Sequence, residues 1–267
     1  MHMDRRQFVK NLGLGTASLS MGSLVTASSC APSGDSSLKQ NVKEGEDGQF
    51  LFIGDDIAIA QTEYGKVQGY LLNHVYTFLG VPYGADTSGK NRFMPPQKPE
   101  PWTDVRPAVF YGNTAPQRME NRWPNNYGTF ADHWNYWDVS EDCLYLNVWT
   151  PGIADGKKRP VLVWLHGGGF TNGSGIEQDG YHGENISREG DIVFCSINHR
   201  LGPIGFSDLS GVGGEAYKDS GNVGMLDIIA ALRWVHDNIA NFGGDPGNVT
   251  VMGQSGGGSK VLSLIHI

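Results

Sequence analysis

Continuous apolar runs alternate with polar, glycine-rich segments through the second half of the chain. Three of these runs lie at 161–165, 192–197 and 249–252. Strands that are apolar throughout are typical of a parallel sheet covered on both faces, whereas half-buried strands alternate. The pattern therefore predicts an α/β architecture in which these runs are strands of a sheet covered by helices.

One helix is predicted between the last two runs. Its apolar residues recur at spacings of three and four, which gathers them into a single stripe along one face. Asp227, Arg233 and Asp237 lie off the stripe. The helix then connects two parallel strands by a right-handed crossover. Ser255 follows the second of these strands and lies at its carboxyl end, where such sheets bind ligands. The stripe consists of Met225, Ile228, Leu232, Val235 and Ile239.

Shorter elements are predicted earlier in the chain. Alternating apolar and polar residues over 50–79, interrupted by glycines, are typical of an antiparallel meander. Five prolines within 95–107 indicate an irregular surface crossing. The aromatic-rich segment 118–137 either lines a substrate gorge or packs a long loop onto the core, and the sequence leaves both alternatives open.

Composition restricts the classes of function. With 267 residues and 39% hydrophobic content, the chain has room for one large domain or two small ones with a real core. A net charge of −8 disfavours nucleic acid as a partner. Three cysteines are too few for a disulfide framework, and no cysteine or histidine spacing is typical of a metal site. The sequence therefore predicts neither a metal nor an organic cofactor.

Residues 1–30 are typical of an export signal. Adjacent arginines, Arg5 and Arg6, precede a weakly apolar stretch at 12–27 that is too short to span a membrane. This arrangement indicates twin-arginine export and a periplasmic, envelope-anchored or secreted bacterial protein. Cys30 follows small residues and is a candidate lipid anchor for membrane attachment, with simple cleavage as the alternative. Residues 31–49 are predicted to form a flexible linker.

Two glycine-rich turns carry the candidate chemistry. Gly253–Gly257 has the pattern Gly-x-Ser-x-Gly behind a β-branched strand, the context in which Ser255 becomes a nucleophile on a strained turn. His166–Phe170 follows another apolar strand, and its glycines can direct backbone N–H groups at an oxyanion. The serine motif alone is a weak signal, since an ordinary glycine-rich turn also explains it. Together, in this order, the two turns favour a serine hydrolase.

The chain resembles the type-B carboxylesterases of the α/β-hydrolase fold, a family that includes cholinesterases and para-nitrobenzyl esterases. The resemblance runs from about Thr62 to Lys260 and depends on many blocks in one order. It implies the N-terminal half of the fold, in which an antiparallel meander leads into a mostly parallel sheet with helices on both faces. Besides the two turns, the blocks lie at 78–83, 92–93, 141–147, 198–202, 221–227 and 241–246.

The resemblance also implies roles for residues of the two turns. Ser255 is the nucleophile, and the backbone N–H groups of Gly168, Gly169 and Gly256 form the oxyanion hole. The substrate is then a small-molecule carboxylic ester, which is hydrolysed through an acyl-serine intermediate.

Structural ion pairs follow from the same resemblance. It implies that Arg92 pairs with Glu141 and that Arg200 pairs with Asp227. The alternative is four independent solvated charges, which would contribute little stability. Side-chain distances in the structure separate these two interpretations.

Three departures from the family pattern change the expectation. Ala115 stands where many relatives have a cysteine that bridges to the equivalent of Cys143, so Cys143 is expected to be a free thiol. Gln254 replaces the glutamate that precedes the nucleophile in many relatives, which disfavours a cationic, choline-like substrate. Gly256 replaces the usual alanine and keeps the backbone donor.

The acid and the histidine of a catalytic triad follow the serine in this fold, and only twelve residues follow Ser255. His266 is expected in a helix or frayed end, and His166 is expected to fix the shape of its turn. We therefore expect 50–262 to be the N-terminal part of a longer hydrolase domain, and the 267-residue chain alone to be inactive and poorly folded. Residues 263–267 resemble translated adapter sequence and are expected to be an artefactual terminus.

Two other functions remain open. One is a non-catalytic binding or adhesion protein of the same fold, although such members usually lose the serine that stands here at position 255. The other is a hydrolase of another acyl bond, such as an amide, carbamate or lactone, because the pocket that selects the leaving group is expected to lie outside this sequence.

Overall fold

The strands are arranged in two sheets. The computed structural model describes residues 51–118 and 138–266. The strands are β1 (Leu51–Phe52), β2 (Ile59–Gln61), β3 (Lys66–Gln68), β4 (Tyr70–Leu72), β5 (Val75–Pro82), β6 (Arg106–Pro107), β7 (Tyr145–Thr150), β8 (Arg159–Leu165), β9 (Val193–Ile197) and β10 (Gly244–Gly253). The α-helices are α1 (Glu184–Gly190), α2 (Gly202–Phe206), α3 (Ser210–Gly213), α4 (Val223–Asn238) and α5 (Gly256–Leu264).

The larger sheet has the order β1-β4-β5-β7-β9-β8-β10. Pairing is antiparallel from β1 as far as β9, and β9, β8 and β10 are parallel to one another. The three apolar runs that the sequence predicts as parallel strands are therefore confirmed as the parallel part of this sheet. The register between β8 and β10 sets Leu165 opposite Gly253, so the two strands end side by side. Both glycine-rich turns leave the sheet at this point.

The N-terminal meander is divided between the two sheets. β2 and β3 are antiparallel, as the alternation predicts, but they belong to a smaller sheet in which β3 also pairs with β6. β6 lies in the proline-rich crossing, which therefore contains a short strand rather than only irregular chain. Pro107 is compatible with this strand because β6 is at the edge of its sheet.

Helices cover both faces of the larger sheet. Successive side chains of a strand point to opposite faces, so each strand contributes to two clusters. On one face Val163 and Cys195 pack in the cluster that contains the buried residues of α4. On the other face Trp149 and Phe194 form a second cluster. α1 covers this second face, where the Ser187 hydroxyl donates to the main-chain oxygen of Trp149 at 3.1 Å.

α4 buries the predicted stripe. Four of its five residues are buried, and Leu232 packs at the edge of the same cluster. Asp227 lies off the stripe and is nevertheless fully buried, because a charged partner from another element reaches it. Spacing alone therefore identifies the apolar face but not the buried carboxylate.

Several predicted segments lie outside the described residues. These are the export signal and linker with Cys30, and most of the aromatic-rich segment 118–137. Within the described part, no helix has the length and apolar character needed to cross a membrane. α5 extends through Ser263 and Leu264, the first two residues of the predicted artefactual terminus.

Candidate active site

Ser255 occupies a strained turn between β10 and α5. Its φ of 53° and ψ of −117° are unusual for a residue with a side chain. The flanking glycines make the turn possible. A Cβ on Gly253 would lie 2.4 Å from the Gly257 carbonyl carbon, and one on Gly257 would lie 2.0 Å from the Leu165 oxygen. The glycines thus let the start of α5 approach β8 closely enough to present the serine.

The second turn, residues 166–173, follows β8. Gly168 and Gly169 have φ values of +83° and +64°, a region that glycine adopts without strain. The Asn172 N–H donates to the Gly168 oxygen at 3.2 Å, which closes the turn. The side-chain amide of Gln117 donates to the Gly173 oxygen at 2.9 Å and accepts from its N–H at 2.8 Å. The conformation of the turn is therefore fixed by its own hydrogen bond and by the two hydrogen bonds with Gln117.

The two turns are in contact. A Cβ on Gly256 would lie 2.5 Å from the Gly169 nitrogen, and one on Gly167 would lie 2.1 Å from the Gln254 side-chain oxygen. The N-terminus of α5 and the glycine turn therefore meet with no room for a side chain between them. This close approach brings Ser255 together with the three glycines that the sequence assigns to an oxyanion hole.

A cleft of about 250 Å³ opens at this contact. None of its described lining residues is a histidine. A larger cleft of about 380 Å³ borders Tyr64 and Trp234, but none of the described residues that line it is a serine. We therefore assign the candidate active site to the smaller cleft, which contains Ser255. The smaller cleft is lined by Gly168, Asn172, Gly173, Glu177, Gln178, Tyr181, Gln254 and Ser255.

Two buried histidines lie under the glycine turn. The imidazoles of His166 and His199 are stacked, with ring centroids 5.0 Å apart. Nδ1 of His166 lies 2.9 Å from the Gly167 oxygen, which agrees with the predicted role in fixing the turn. Burial lowers the pKa of His199 well below its usual value, and the neighbouring Lys260 and His166 lower it further. His199 is therefore uncharged at neutral pH.

Both ion pairs expected from the sequence are present, in very different surroundings. Arg200 and Asp227 are 2.7 Å apart and almost wholly buried, with side-chain exposures of 1% and 0%. Arg200 also donates to the Met94 oxygen at 2.8 Å, so it connects three segments. Arg92 and Glu141 are 2.6 Å apart near the surface.

Sequence reasoning missed several residues that support the site. Gln117 and Lys260 both contact the glycine turn, one through hydrogen bonds and the other through the Phe170 ring. Asn198 accepts from the Gly175 N–H at 2.8 Å and donates to the Asn113 oxygen at 3.0 Å. The only signal in the sequence was position: Asn198 is polar and begins the family block at 198–202. Which loop each side chain reaches is a property of the tertiary structure.

The described cysteines are free and buried. Cys143 and Cys195 form no disulfide, as expected for Cys143. Burial raises the pKa of each thiol, so neither is a reactive thiolate at neutral pH. Over 51–118 and 138–266, no group of three or more histidine, cysteine or acidic side chains is arranged to hold a metal ion.

Comparison with known proteins agrees with this geometry. Residues 56–266 match the model of the carboxylesterase family. The chain is 43% identical over 210 residues to the para-nitrobenzyl esterase of Bacillus subtilis (strain 168), covering 78% of this chain and 40% of that protein. It is 45% identical over 206 residues to the phenmedipham hydrolase of Pseudarthrobacter oxydans, covering 77% and 39%. The chain thus spans about 40% of the length of these relatives.

Solved structures show the same similarity. An esterase from anaerobic Clostridium hathewayi, described as able to hydrolyze aliphatic aromatic polyesters, superposes with a TM-score of 0.73 at 44% identity. That match covers 80% of this chain and 41% of the other. Carboxylesterase EST55 of Geobacillus stearothermophilus superposes with a TM-score of 0.68 at 42% identity, covering 76% and 39%. With its strained serine turn against a glycine turn in the α/β-hydrolase fold, the chain belongs to the carboxylesterase family.

Proposed function

We propose that the full-length protein hydrolyses carboxylic esters through an acyl-Ser255 intermediate. The observation that supports this most directly is the contact between the serine turn and the glycine turn. The Ser255 hydroxyl attacks the ester carbonyl, the alcohol leaves as the tetrahedral intermediate collapses, and water then releases the acid. Backbone N–H groups of Gly168, Gly169 and Gly256 stabilise the oxyanion in both steps.

Proton transfer from the Ser255 hydroxyl requires a base, and none of the described residues that line the cleft is a histidine. His166 and His199 precede the serine in the chain and are fully buried, and Nδ1 of each faces a main-chain oxygen. In this fold the acid and the histidine follow the serine along the chain. We assign general acid–base catalysis to a histidine outside the described residues.

The proposed substrate is a small, uncharged ester. Gln254 is neutral and lies against Gly167 at the cleft, so position 254 adds no second carboxylate, beside that of Glu177, to attract a cationic ester. Para-nitrophenyl acetate and butyrate are suitable probes, since two of the similar proteins are named esterases. The residues that line the cleft do not determine which acyl group or which alcohol of the ester is preferred.

The test is turnover of these esters by the full-length protein and by Ser255→Ala. Loss of the nucleophile is expected to lower kcat by a factor of about 10⁴ or more. Ser259→Ala is the matched control, because Ser259 lies one turn further along α5 and is exposed. Equal rates for native protein and Ser255→Ala would end the proposal. Labelling of native protein by a fluorophosphonate probe separates an enzyme from a non-catalytic binding protein.

We also propose that the protein is bacterial and is exported by the twin-arginine route, with Cys30 as a lipid anchor. Arg5 and Arg6 before a weakly apolar stretch support the route, and small residues before Cys30 support lipid attachment. Replacing both arginines by lysine is expected to retain the protein in the cytoplasm. Cys30→Ser is expected to abolish incorporation of labelled palmitate and release the protein from the membrane fraction. If the arginine variant is still exported, the twin-arginine route is contradicted. If Cys30→Ser remains in the membrane fraction, the lipid anchor is contradicted.

A further inference from the structure

Lys260 is a buried cation close to the candidate nucleophile. It lies on α5 five residues after Ser255, which is about 7.5 Å along the helix axis. Its side chain is fully buried, and Nζ has no hydrogen-bond partner within the part of the chain that the structure describes. A buried ammonium without an acceptor is costly, because it loses its hydration without compensation. A lysine in this place therefore requires an explanation.

The surroundings of Lys260 connect it to the glycine turn. Nζ lies 5.4 Å from the ring centroid of Phe170, the residue that follows Gly169. The opposite side of Phe170 is fixed, since its ring packs edge-on against Phe206 at 5.0 Å and its oxygen accepts from Gly202 at 2.7 Å. A cation near an aromatic ring in a desolvated place is an attractive contact. It holds the end of the turn against α5.

The charged and titratable groups around Lys260 leave its positive charge largely unneutralised. Glu177, which lines the same cleft as Ser255, favours the charged form, and no hydrogen bond joins its carboxylate to Nζ. His199 after β9 is uncharged at neutral pH, and His166 after β8 is stacked upon it. Among the described residues, no hydrogen-bonded anion therefore neutralises this ammonium, which lies on the helix that begins at the Ser255 turn.

We propose that Lys260 is a positioning residue for ester hydrolysis: its ammonium holds Phe170, and with it the oxyanion-binding amides, and its charge favours the anionic intermediate. The inference rests on the proposed function. A positive charge next to Phe170, the residue after Gly169, acts on the intermediate, where negative charge develops, more than on the neutral ester. Removal of the Lys260 charge is therefore expected to lower kcat and to leave KM nearly unchanged.

Stability gives a second argument. If Lys260 served only the fold, an apolar residue of similar length would serve better, since it would have no charge to desolvate. Burial lowers the pKa of Lys260 to about 8, while Glu177 opposes the shift. The charged form thus persists at neutral pH at a cost in stability. We expect Lys260→Met to raise the melting temperature at pH 7.

The pH dependence follows from the same charge. Below pH 8 the folded state bears the full cost of the buried ammonium. Between pH 8 and 10.5 the folded state releases this proton while the unfolded state keeps it, so native protein gains stability relative to Lys260→Met. The difference in melting temperature is therefore expected to narrow in this interval. Native kcat is expected to fall above pH 8 as the ammonium is lost.

The experiment compares full-length native protein, Lys260→Met and Lys218→Met with para-nitrophenyl butyrate. Lys218 is an exposed lysine on the surface, 61% accessible, so its replacement controls for the change in net charge. Lys260→Met is expected to lower kcat about tenfold, to leave KM within about twofold, and to remove the fall above pH 8. Lys218→Met is expected to have the same kcat, the same KM and the same fall in kcat above pH 8 as native protein.

The outcomes are separable. An unchanged kcat in Lys260→Met, or a fall above pH 8 that persists in it, overturns the role of Lys260 while hydrolysis by Ser255 stands. A lower melting temperature for Lys260→Met at pH 7 overturns it as well, since it shows a purely structural residue. If native protein is as inactive as Ser255→Ala, the proposed function itself fails, and the role of Lys260 fails with it.

Discussion

Ser255 has a backbone conformation that costs stability wherever a side chain is present. A φ of 53° with a ψ of −117° lies outside the regions open to most residues, and such strain costs about 1–3 kcal/mol. Glycine adopts it more readily than alanine. We expect Ser255→Gly to be about 1 kcal/mol more stable than Ser255→Ala, with neither hydrolysing esters. Urea denaturation checks the difference, and equal stability would mean that the turn relaxes around the side chain.

The two ion pairs are expected to differ in their effect on the free energy of unfolding. Asp227→Asn leaves the buried Arg200 guanidinium without its counter-charge, and we expect a loss of about 3–5 kcal/mol. Glu141→Gln breaks a pair in which Arg92 is 47% exposed to screening solvent, and we expect a much smaller loss. The matched carboxylate-to-amide changes are compared by urea denaturation. Similar losses would contradict the dependence on burial.

His199 is expected to destabilise the fold at acidic pH. Its folded pKa is below the unfolded value of 6.5 because of burial, so the unfolded state binds more protons below pH 6.5. Stability is then lost as the pH falls below 6.5, by up to about 1.4 kcal/mol per pH unit. Replacing His199 by Gln should reduce this slope in denaturation curves between pH 7 and 5. The exposed His236 replaced by Gln is the control, and a slope reduced equally in both would exclude His199 as the cause.

At the scale of elements, the join between β8, β10 and α5 depends on glycines at particular positions. A Cβ on Gly257 would lie 2.0 Å from the Leu165 oxygen, whereas one on Gly258 would first meet the Gly253 oxygen at 3.4 Å. We expect Gly257→Ala to destabilise by about 2–4 kcal/mol and to lower activity, since α5 must move away from β8. Gly258→Ala is expected to be neutral or slightly stabilising, because alanine favours a helix. Melting temperatures of both variants test this, and a tolerated Gly257→Ala would show that α5 shifts at little cost.

The sequence predicts most of these elements, because hydrophobic periodicity reports burial. The runs at 161–165, 192–197 and 249–252 are found as strands, with β10 starting earlier at Gly244. β6 was missed because its pairing with β3 depends on a distant partner and not on its own two residues. Lys260 was missed for the same reason, since a polar residue is buried only where the tertiary structure surrounds it. Asp227 was identified through its implied pair with Arg200 and not through the spacing of apolar residues.

At the scale of the whole molecule, β10 is the outer strand of the larger sheet among the described residues. Met252 on this strand is 41% exposed, and an unpaired edge with apolar side chains promotes association between chains. We expect the 267-residue chain expressed alone to associate along this edge, which size-exclusion chromatography and thermal unfolding would show. The full-length protein is the control. A soluble monomer with a cooperative melting transition would contradict this expectation.

The sequence was enough to locate the candidate site, but it did not predict how the two turns are held against each other. Motif context identified Ser255 and the glycine turn, because each requires glycine for a local reason. The contact between them depends on the register that sets Leu165 opposite Gly253, two residues far apart in the chain. Local patterns carry no information about that register.

The interlocking of the two turns has a consequence for how the site could change. Gln254 fills the space beside Gly167, and Gly169 fills the space beside Gly256, so neither turn shifts without displacing the other. The amide dipoles are thus oriented before any substrate arrives, and little reorganisation is left for the reaction itself. New specificity would have to arise in the surrounding walls, at positions such as Gln178 and Tyr181, where a side chain can be replaced without entering either turn.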